Sequence, residues 1–144
     1  MTEISFHFNV ADRLEYACRL LRKASRQGAH VVVTAPAPAL AQLDRLLWTF
    51  DPLEFLPHVM PRRGQPLPAR LAATQVWLLE DASEAGHHDV LVNLGQDAPP
   101  VGFESFARMI EIVSSDEAER AAARRRWKHY AERGYPIERH EVTA

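Results

Sequence analysis

The sequence predicts an α/β protein, a single domain over residues 1–144 built on an open, mostly parallel sheet with helices on both faces. Three observations lead there. Ile4, Phe6, Phe8 and Val10 alternate with Ser5, His7 and Asn9, the period of a strand with one buried face. Val31, Val32 and Val33 form an unbroken β-branched block, as in strands covered on both sides. The order strand, helix, strand, helix, strands, helix then suits right-handed crossovers between parallel strands.

Each element has a local reason. Ile4 to Val10 opens the sheet. Asp12, three residues before Glu15, is a capping-box-like start, after which Leu14, Ala17, Cys18 and Leu21 recur at helical spacing until Gly28 supplies a stop. His30 to Thr34 is the second strand. Pro36 and Pro38 are tolerated in the first turn of a helix whose stripe is Leu40, Leu43, Leu47 and Phe50, ended by Asp51 and Pro52. Pro57, Pro61, Gly64, Pro66 and Pro68 crowd the next segment, which predicts a surface loop with no regular element from Pro57 to Pro68. Val76 to Leu79 and Val90 to Leu94 read as short strands, joined by a polar stretch too short for a normal helix. Phe103 to Met109 suits the start of a short helix and Met109 to Val113 a strand; the residues leave both open. Ser115 caps a last helix, rich in Ala, Glu and Arg, that runs to Arg133 and stops at Gly134. No repeat or low-complexity tract is present.

Composition narrows the function. The 144 residues, 47% of them hydrophobic, suffice for one core and exclude a multidomain enzyme. Lys and Arg number 17 against 19 Asp and Glu, so a net charge of −2 exerts no overall pull on nucleic acid or anionic membrane, and an electrostatic partner must be read by a local patch. The one cysteine, Cys18, closes no internal disulfide and builds no zinc motif, and neither a signal segment nor a membrane-length apolar run occurs. A cytoplasmic protein without membrane contact is expected.

The chemistry of common α/β enzymes is missing. Glycines stand at 28, 64, 86, 95, 102 and 134, so neither GxGxxG nor GxxxxGK[ST] exists, and Thr34-Ala35-Pro36 replaces a phosphate-binding turn with a proline that lacks a donor. The expectation is a Rossmann-like sheet without a nucleotide site and without a cofactor. GxSxG and HExxH are absent, and Cys18 points into the predicted core. His87-His88-Asp89 is the one tight group of metal-ligand types, but neighbours on an extended segment point apart, as in an exposed polar turn. A small enzyme would have to use the cleft near Thr34 and Asn93.

Two constellations remain. The last helix carries Arg120, Arg124, Arg125, Arg126, Lys128 and Arg133 around Trp127 and Tyr130. At about 100° per residue, Arg120, Arg124, Trp127 and Lys128 share one arc, three cations around an aromatic. Such a face suits an acidic peptide with an apolar end; the alternatives are solvated cations on a helix that Trp127 fastens to the sheet, or direct binding of single-stranded DNA. On the second helix Trp48 lies off the leucine stripe, beside Ala41, Asp44 and Arg45. Phe55, Leu56, Pro57 and His58 follow, forming either a protein contact or a satellite core under the loop.

These residues carry a resemblance to the chi subunit family of the bacterial DNA polymerase III holoenzyme, accessory proteins of the clamp loader. It spans nearly the whole chain and rests on LxxxLW (Leu43 to Trp48), FLPH (Phe55 to His58), DVLVNL (Asp89 to Leu94) and above all ARRRWKHYAERGYPI (Ala123 to Ile137). The resemblance implies a noncatalytic adaptor that pairs with the psi subunit and captures the acidic C-terminal tail of single-stranded DNA-binding protein, with any DNA contact mainly indirect. It places tail binding on Arg120, Arg124, Trp127 and Lys128, where family members also carry Tyr for Trp127 and Lys for Arg120. It places psi, or in some members a helicase-like repair partner, on Trp48, Phe55, Leu56, Pro57 and His58.

Overall fold

The structure, a computed structural model, describes residues 1–49, 56–61, 71, 73–95 and 97–142. Seven strands form one all-parallel sheet: β1 Glu3–Val10, β2 Val31–Thr34, β3 His58–Val59, β4 Val76–Leu79, β5 Val90–Asn93, β6 Arg108–Ser114 and β7 Ile137–Glu141, in the spatial order β3-β4-β2-β5-β6-β1-β7. Three helices flank it: α1 Arg13–Arg26, α2 Ala37–Thr49 and α3 Glu117–Glu132.

The order explains which face each helix covers. A right-handed crossover puts the connecting segment on a face set by the direction in which the chain crosses the sheet. From β1 to β2 to β3 the chain moves toward the β3 edge, and α1 and α2 share one face, packing Ala17, Cys18, Leu21, Leu40 and Leu43 on Val31, Val33, Val76, Leu78, Val92 and Ile112. From β4 to β5, β5 to β6 and β6 to β7 it moves back, and those connections lie on the other face. There Ala82, Phe103, Phe106, Ala123 and Tyr130 cover Ile4, Phe6, Val32, Leu91, Met109 and Val113. Val31, Val32 and Val33 are all buried because both sides of β2 are covered.

The helix signals act as predicted at α1: Asp12 accepts from the N–H groups of Leu14 and Glu15, and Gly28 follows the last turn with φ 75°. Burial pushes the Cys18 thiol up to about 11, with the Asp12 and Glu15 carboxylates adding to it, so it is a core residue without thiolate character. Phe50, on the predicted stripe of α2, lies outside the described residues.

Four sequence expectations are corrected. His58–Val59 is a strand inside the segment read as irregular; a two-residue edge strand needs partners on one side only, and its prolines, Pro57 and Pro61, lie outside the paired residues. The open choice over 103–113 resolves as a 3₁₀ turn, Phe103–Ser105, followed by β6. The α3 cap is Asp116, one residue beyond Ser115, and its side chain accepts from the Glu119 N–H at 3.1 Å. β7 was not expected: four of its five residues are exposed, so it shows no apolar alternation. Within β1 an irregularity also intervenes. Asn9 adopts φ 63° and the register with β6 shifts between His7 and Val10, so Val10 joins the α1 and α2 core while Phe6 belongs to the opposite one.

On the α1 side of β1, the Nδ1 of His7 meets the Tyr16 hydroxyl, and its ring centroid lies 5.0 Å from that of His140 on β7. Burial, and then the neighbouring His140, hold the His7 imidazole below its ordinary value. The unfolded chain takes up that proton near pH 6.5 and the folded chain only at lower pH, so this contribution to stability is complete above about pH 6.5 and is lost as the pH falls below it. His7→Asn should therefore show a shallower fall in melting temperature between about pH 7 and 5 than the parent chain. Parallel slopes in scanning calorimetry would contradict this.

Candidate functional site

The last helix is fixed to the sheet by a buried carboxylate. Glu111, at the middle of β6, is fully buried and faces α3. Arg126 donates from Nε to both of its oxygens at 3.1 and 3.0 Å, Tyr130 donates its hydroxyl proton at 2.7 Å, and Asn93 donates from Nδ2 at 3.0 Å. Burial and the Glu111 charge hold the Tyr130 hydroxyl well above the usual tyrosine range, so it remains a donor. Arg126, read in the sequence as one of the surface cations, is thus a core residue. Because Ala122, Ala123, Arg126 and Tyr130 form the buried stripe of α3, the residues one position round the helix are turned to its flank.

That flank borders an open groove of about 590 Å³. Its floor is apolar, formed by Phe6 and Phe8 of β1, Val113 of β6 and Ala123. Arg120, Arg124 and Trp127 line it from α3, and Trp127 is 43% exposed. The opposite wall is β7, with Arg139 and Glu141. Among the described residues none of Arg120, Arg124 and Arg139 takes part in an ion pair, in contrast to Arg13 and Arg126. An apolar trough with uncompensated guanidinium groups on its rim can bind anionic groups bidentately and cover an apolar side chain at the same time.

The structure brings together three of the four residues grouped on the wheel. Lys128 does not line the groove; it is exposed, with Nζ 3.9 Å from Glu132 one turn on. Trp127 is not what fastens α3 to the sheet, since Arg126 and Tyr130 do that. Sequence reading missed Phe6, Phe8, Arg139 and Glu141. The available signal was period two in Ile137, Arg139 and Glu141 after the Gly134 stop, concealed by its polarity.

The second group lies toward the other edge. Trp48 is 57% exposed and meets the His58 ring edge-on at 5.5 Å. His58 lies 2.7 Å from Asp44 through Nε2 and 2.8 Å from the Leu56 carbonyl through Nδ1, so both ring nitrogens are engaged and the ring is held in place. Of the two alternatives left open for this group, Leu56 takes the core one: it is buried with the α2 leucines Leu40, Leu43 and Leu47, so it is not part of an exposed contact surface. Pro57 is exposed, and Phe55 lies outside the described residues. Met60, 43% exposed, and Ala41 border a smaller groove with Glu80 and Glu84.

The crevice at the carboxyl ends of the strands, where open α/β sheets commonly bind nucleotides, is occupied by the protein's own side chains. Arg13 pairs with Glu119 at 2.5 Å and lies so close to Gly95 that a Cβ there would overlap its guanidinium; about 140 Å³ is left. Thr34 and Asn93, the residues on which a small enzyme would draw, are buried and donate to the Glu80 carbonyl and to Glu111. His87 packs on Trp77 and His88 on Phe106, and no group of three or more metal-ligand side chains is assembled among the described residues. No helix among the described residues is long and apolar enough to cross a membrane.

Fold and groove together define an open parallel α/β protein whose accessible chemistry lies on a cationic, apolar surface trough instead of a strand-end crevice. The family model of the DNA polymerase III chi subunit, HolC, matches residues 1–138, and the chain belongs to that family. DNA polymerase III subunit chi of Pseudomonas aeruginosa is 34% identical over 148 residues, covering 99% of this chain and 98% of its own. The subunit chi of Haemophilus influenzae is 30% identical over 129 residues, 89% of this chain and 86% of its own. Among solved structures, the Mss116p DEAD-box helicase domain 2 bound to an RNA duplex matches with a TM-score of 0.61 at 10% identity. That match covers all of this chain, which spans 65% of the other. At that identity the likeness is one of fold alone.

The Glu111–Arg126 pair yields a stability test. Removing one partner leaves a buried charge uncompensated, so Glu111→Leu or Arg126→Met should each cost about 3 to 5 kcal/mol. The double variant should lose less than the sum of the two, because neither charge is then stranded. Additive losses in denaturant melts would refute the pairing.

Proposed function

We propose that this chi-family chain is a noncatalytic adaptor of the replicative polymerase. In this reading the α3–β7 groove holds the acidic C-terminal tail of single-stranded DNA-binding protein, and the surface around Trp48 holds the psi subunit of the clamp loader. The observation that carries it is the set of unpaired guanidinium groups around an apolar trough with an exposed tryptophan. Arg120 and Arg124 take the carboxylates of the tail, Trp127 and the trough take its terminal apolar side chain, and Lys128 acts only through its field at the helix edge. Each tail contact is weak, about micromolar or −8 kcal/mol, because the cations are exposed and screened by salt. The chain acts in the cytoplasm, and its contact with DNA is mainly indirect.

At the other edge, Trp48 is the anchor, with Pro57, Met60 and the His58 ring that braces it, and a helicase-like repair partner is an alternative occupant there; Phe55, which the resemblance assigns to psi, lies outside the described residues. Leu56 contributes by holding this segment on the core.

Arg124→Glu should weaken binding of the tail peptide at least tenfold, since it exchanges attraction for repulsion beside the same carboxylates. Removing the tail's last apolar residue should weaken binding even in high salt, where ion pairs are screened. Tight, steeply salt-dependent binding of bare single strands with indifference to the peptide would point to direct DNA binding instead.

For the second surface, Trp48→Ala should abolish copurification with psi while shifting the melting temperature little, as Trp48 is 57% exposed. A loss of about 3 to 5 kcal/mol, typical of deleting a buried aromatic, would argue against an interface role.

A further inference from the structure

We infer that Arg139, on the edge strand β7, is a specificity-determining residue of the groove: it holds a carboxylate of the bound acidic segment from the strand side, opposite the cations of α3, while Glu141 limits how many acidic residues the groove accepts. The inference rests on the reading of the groove as a peptide site and adds a second charged wall to it.

The placement follows from the register of β7 on β1. Phe6 pairs with Arg139 and Phe8 with Glu141, so with side chains alternating along a strand both charged residues lie on the sheet face that α3 partly covers. Both line the groove. Arg139 does not pair with Glu141 on its own strand: its guanidinium carbon lies over the Phe8 ring of β1, 5.5 Å from the centroid, and among the described residues neither Arg139 nor Glu141 is in an ion pair. Stacking on Phe8 leaves the edges of the guanidinium fork available for hydrogen bonds while fixing its plane. Nothing in the fold of β7 requires a cation there, since its pairing with β1 is made by the backbone.

A peptide lying between α3 and β7 therefore meets positive charge on both sides and apolar rings beneath it. The chemistry that fits is an anionic chain with an apolar residue, its carboxylates directed outward to the two walls. Glu141 breaks the symmetry. A carboxylate beside it is repelled, so the position facing it selects a neutral residue, and the groove distinguishes an acidic segment with a gap in its charge from a uniform polyanion.

The test uses the full chain and a short fluorescent peptide of aspartates and small residues ending in phenylalanine, titrated by anisotropy at several salt concentrations. Arg139→Gln should weaken binding about two- to fivefold, the upper part of the range for an exposed ion pair, and should flatten the salt dependence. Arg139→Lys should recover the salt dependence but only part of the affinity, since it keeps the charge and loses the planar fork. Glu141→Gln should tighten binding and narrow the preference for this peptide over polyaspartate. Loss of β7 alone would flatten no salt slope selectively and would not be repaired by Lys; far-UV circular dichroism and melting temperature check that the strand persists. If Arg124→Glu weakens binding while both Arg139 variants leave affinity and salt dependence unchanged, the role of Arg139 is overturned and the peptide groove stands. If Arg124→Glu also changes nothing, the groove reading itself fails.

Discussion

The arrangement depends on one buried charge. A carboxylate under a helix costs several kcal/mol in desolvation, and at Glu111 that cost is offset by donors from two directions: Arg126 and Tyr130 from α3, and Asn93 from the neighbouring strand β5. The apolar contacts of α3 come from two small alanines, Ala122 and Ala123, and from the Tyr130 ring, which packs among Phe6, Phe103 and Tyr135. Hydrogen bonds to a fixed carboxylate add direction to that packing. With Arg126 and Tyr130 held four residues apart on one stripe, Arg120, Arg124 and Trp127 are carried to the flank as a rigid group, and the small Ala123 leaves depth beneath them. The pair is thus better understood as fixing the orientation of the helix than as a large net source of stability.

A second constraint acts on the scale of the sheet. The chain runs to the β3 edge through α1 and α2 and then returns, and handedness places everything on the return path on the opposite face. Among the described residues one long helix, α3, lies there. Short pieces, the 3₁₀ turns at Ala82–Glu84 and Phe103–Ser105 with Phe106, cover the middle of that face, and α3 covers the side nearer β1. Among the described residues no element covers the outermost part, over Phe8 and β7, and this is where the groove opens. The site is consequently a result of topology: an edge strand extends the sheet beyond the helix meant to cover it.

How much of this is legible in the sequence depends on whether the signal is local. Asp12, Gly28 and the valine block act through their own neighbours, and α1, β2 and their burial follow from them directly. The wheel of α3 also grouped Arg120, Arg124 and Trp127 without the structure. It placed Lys128 with them because a wheel records angle alone, whereas Lys128 lies outside the groove lining, beside Glu132 one turn on. Arg126 was misjudged for a related reason: a cation in a basic run looks solvated until a buried carboxylate fifteen residues earlier in the chain is brought beneath it. β7 was invisible because an edge strand with one covered face and polar side chains needs no apolar alternation; its stability comes from the backbone ladder with β1. The short β3 was concealed by the prolines around it, which break helices but not the two-residue pairing of an edge.

The positions of the two surfaces bear on how an adaptor of this kind would work. β3 and β7 are the opposite edges of a seven-stranded sheet, and six strand spacings of about 4.8 Å separate them by roughly 29 Å. Trp48 lies near the first edge and the groove beside the second, with α1 and α2 on one face and α3 on the other. On the proposed reading, two macromolecular partners therefore approach from different sides and need not exclude one another sterically. Nor does the structure offer an obvious means for one to alter the affinity of the other, since the Glu111 network fixes α3 independently of α2. Their cooperation would come from tethering: once one surface is engaged, the tail is captured at the effective concentration set by the linker that carries it, and a weak groove contact is sufficient. On that reading weakness is an advantage, because a micromolar contact would release quickly.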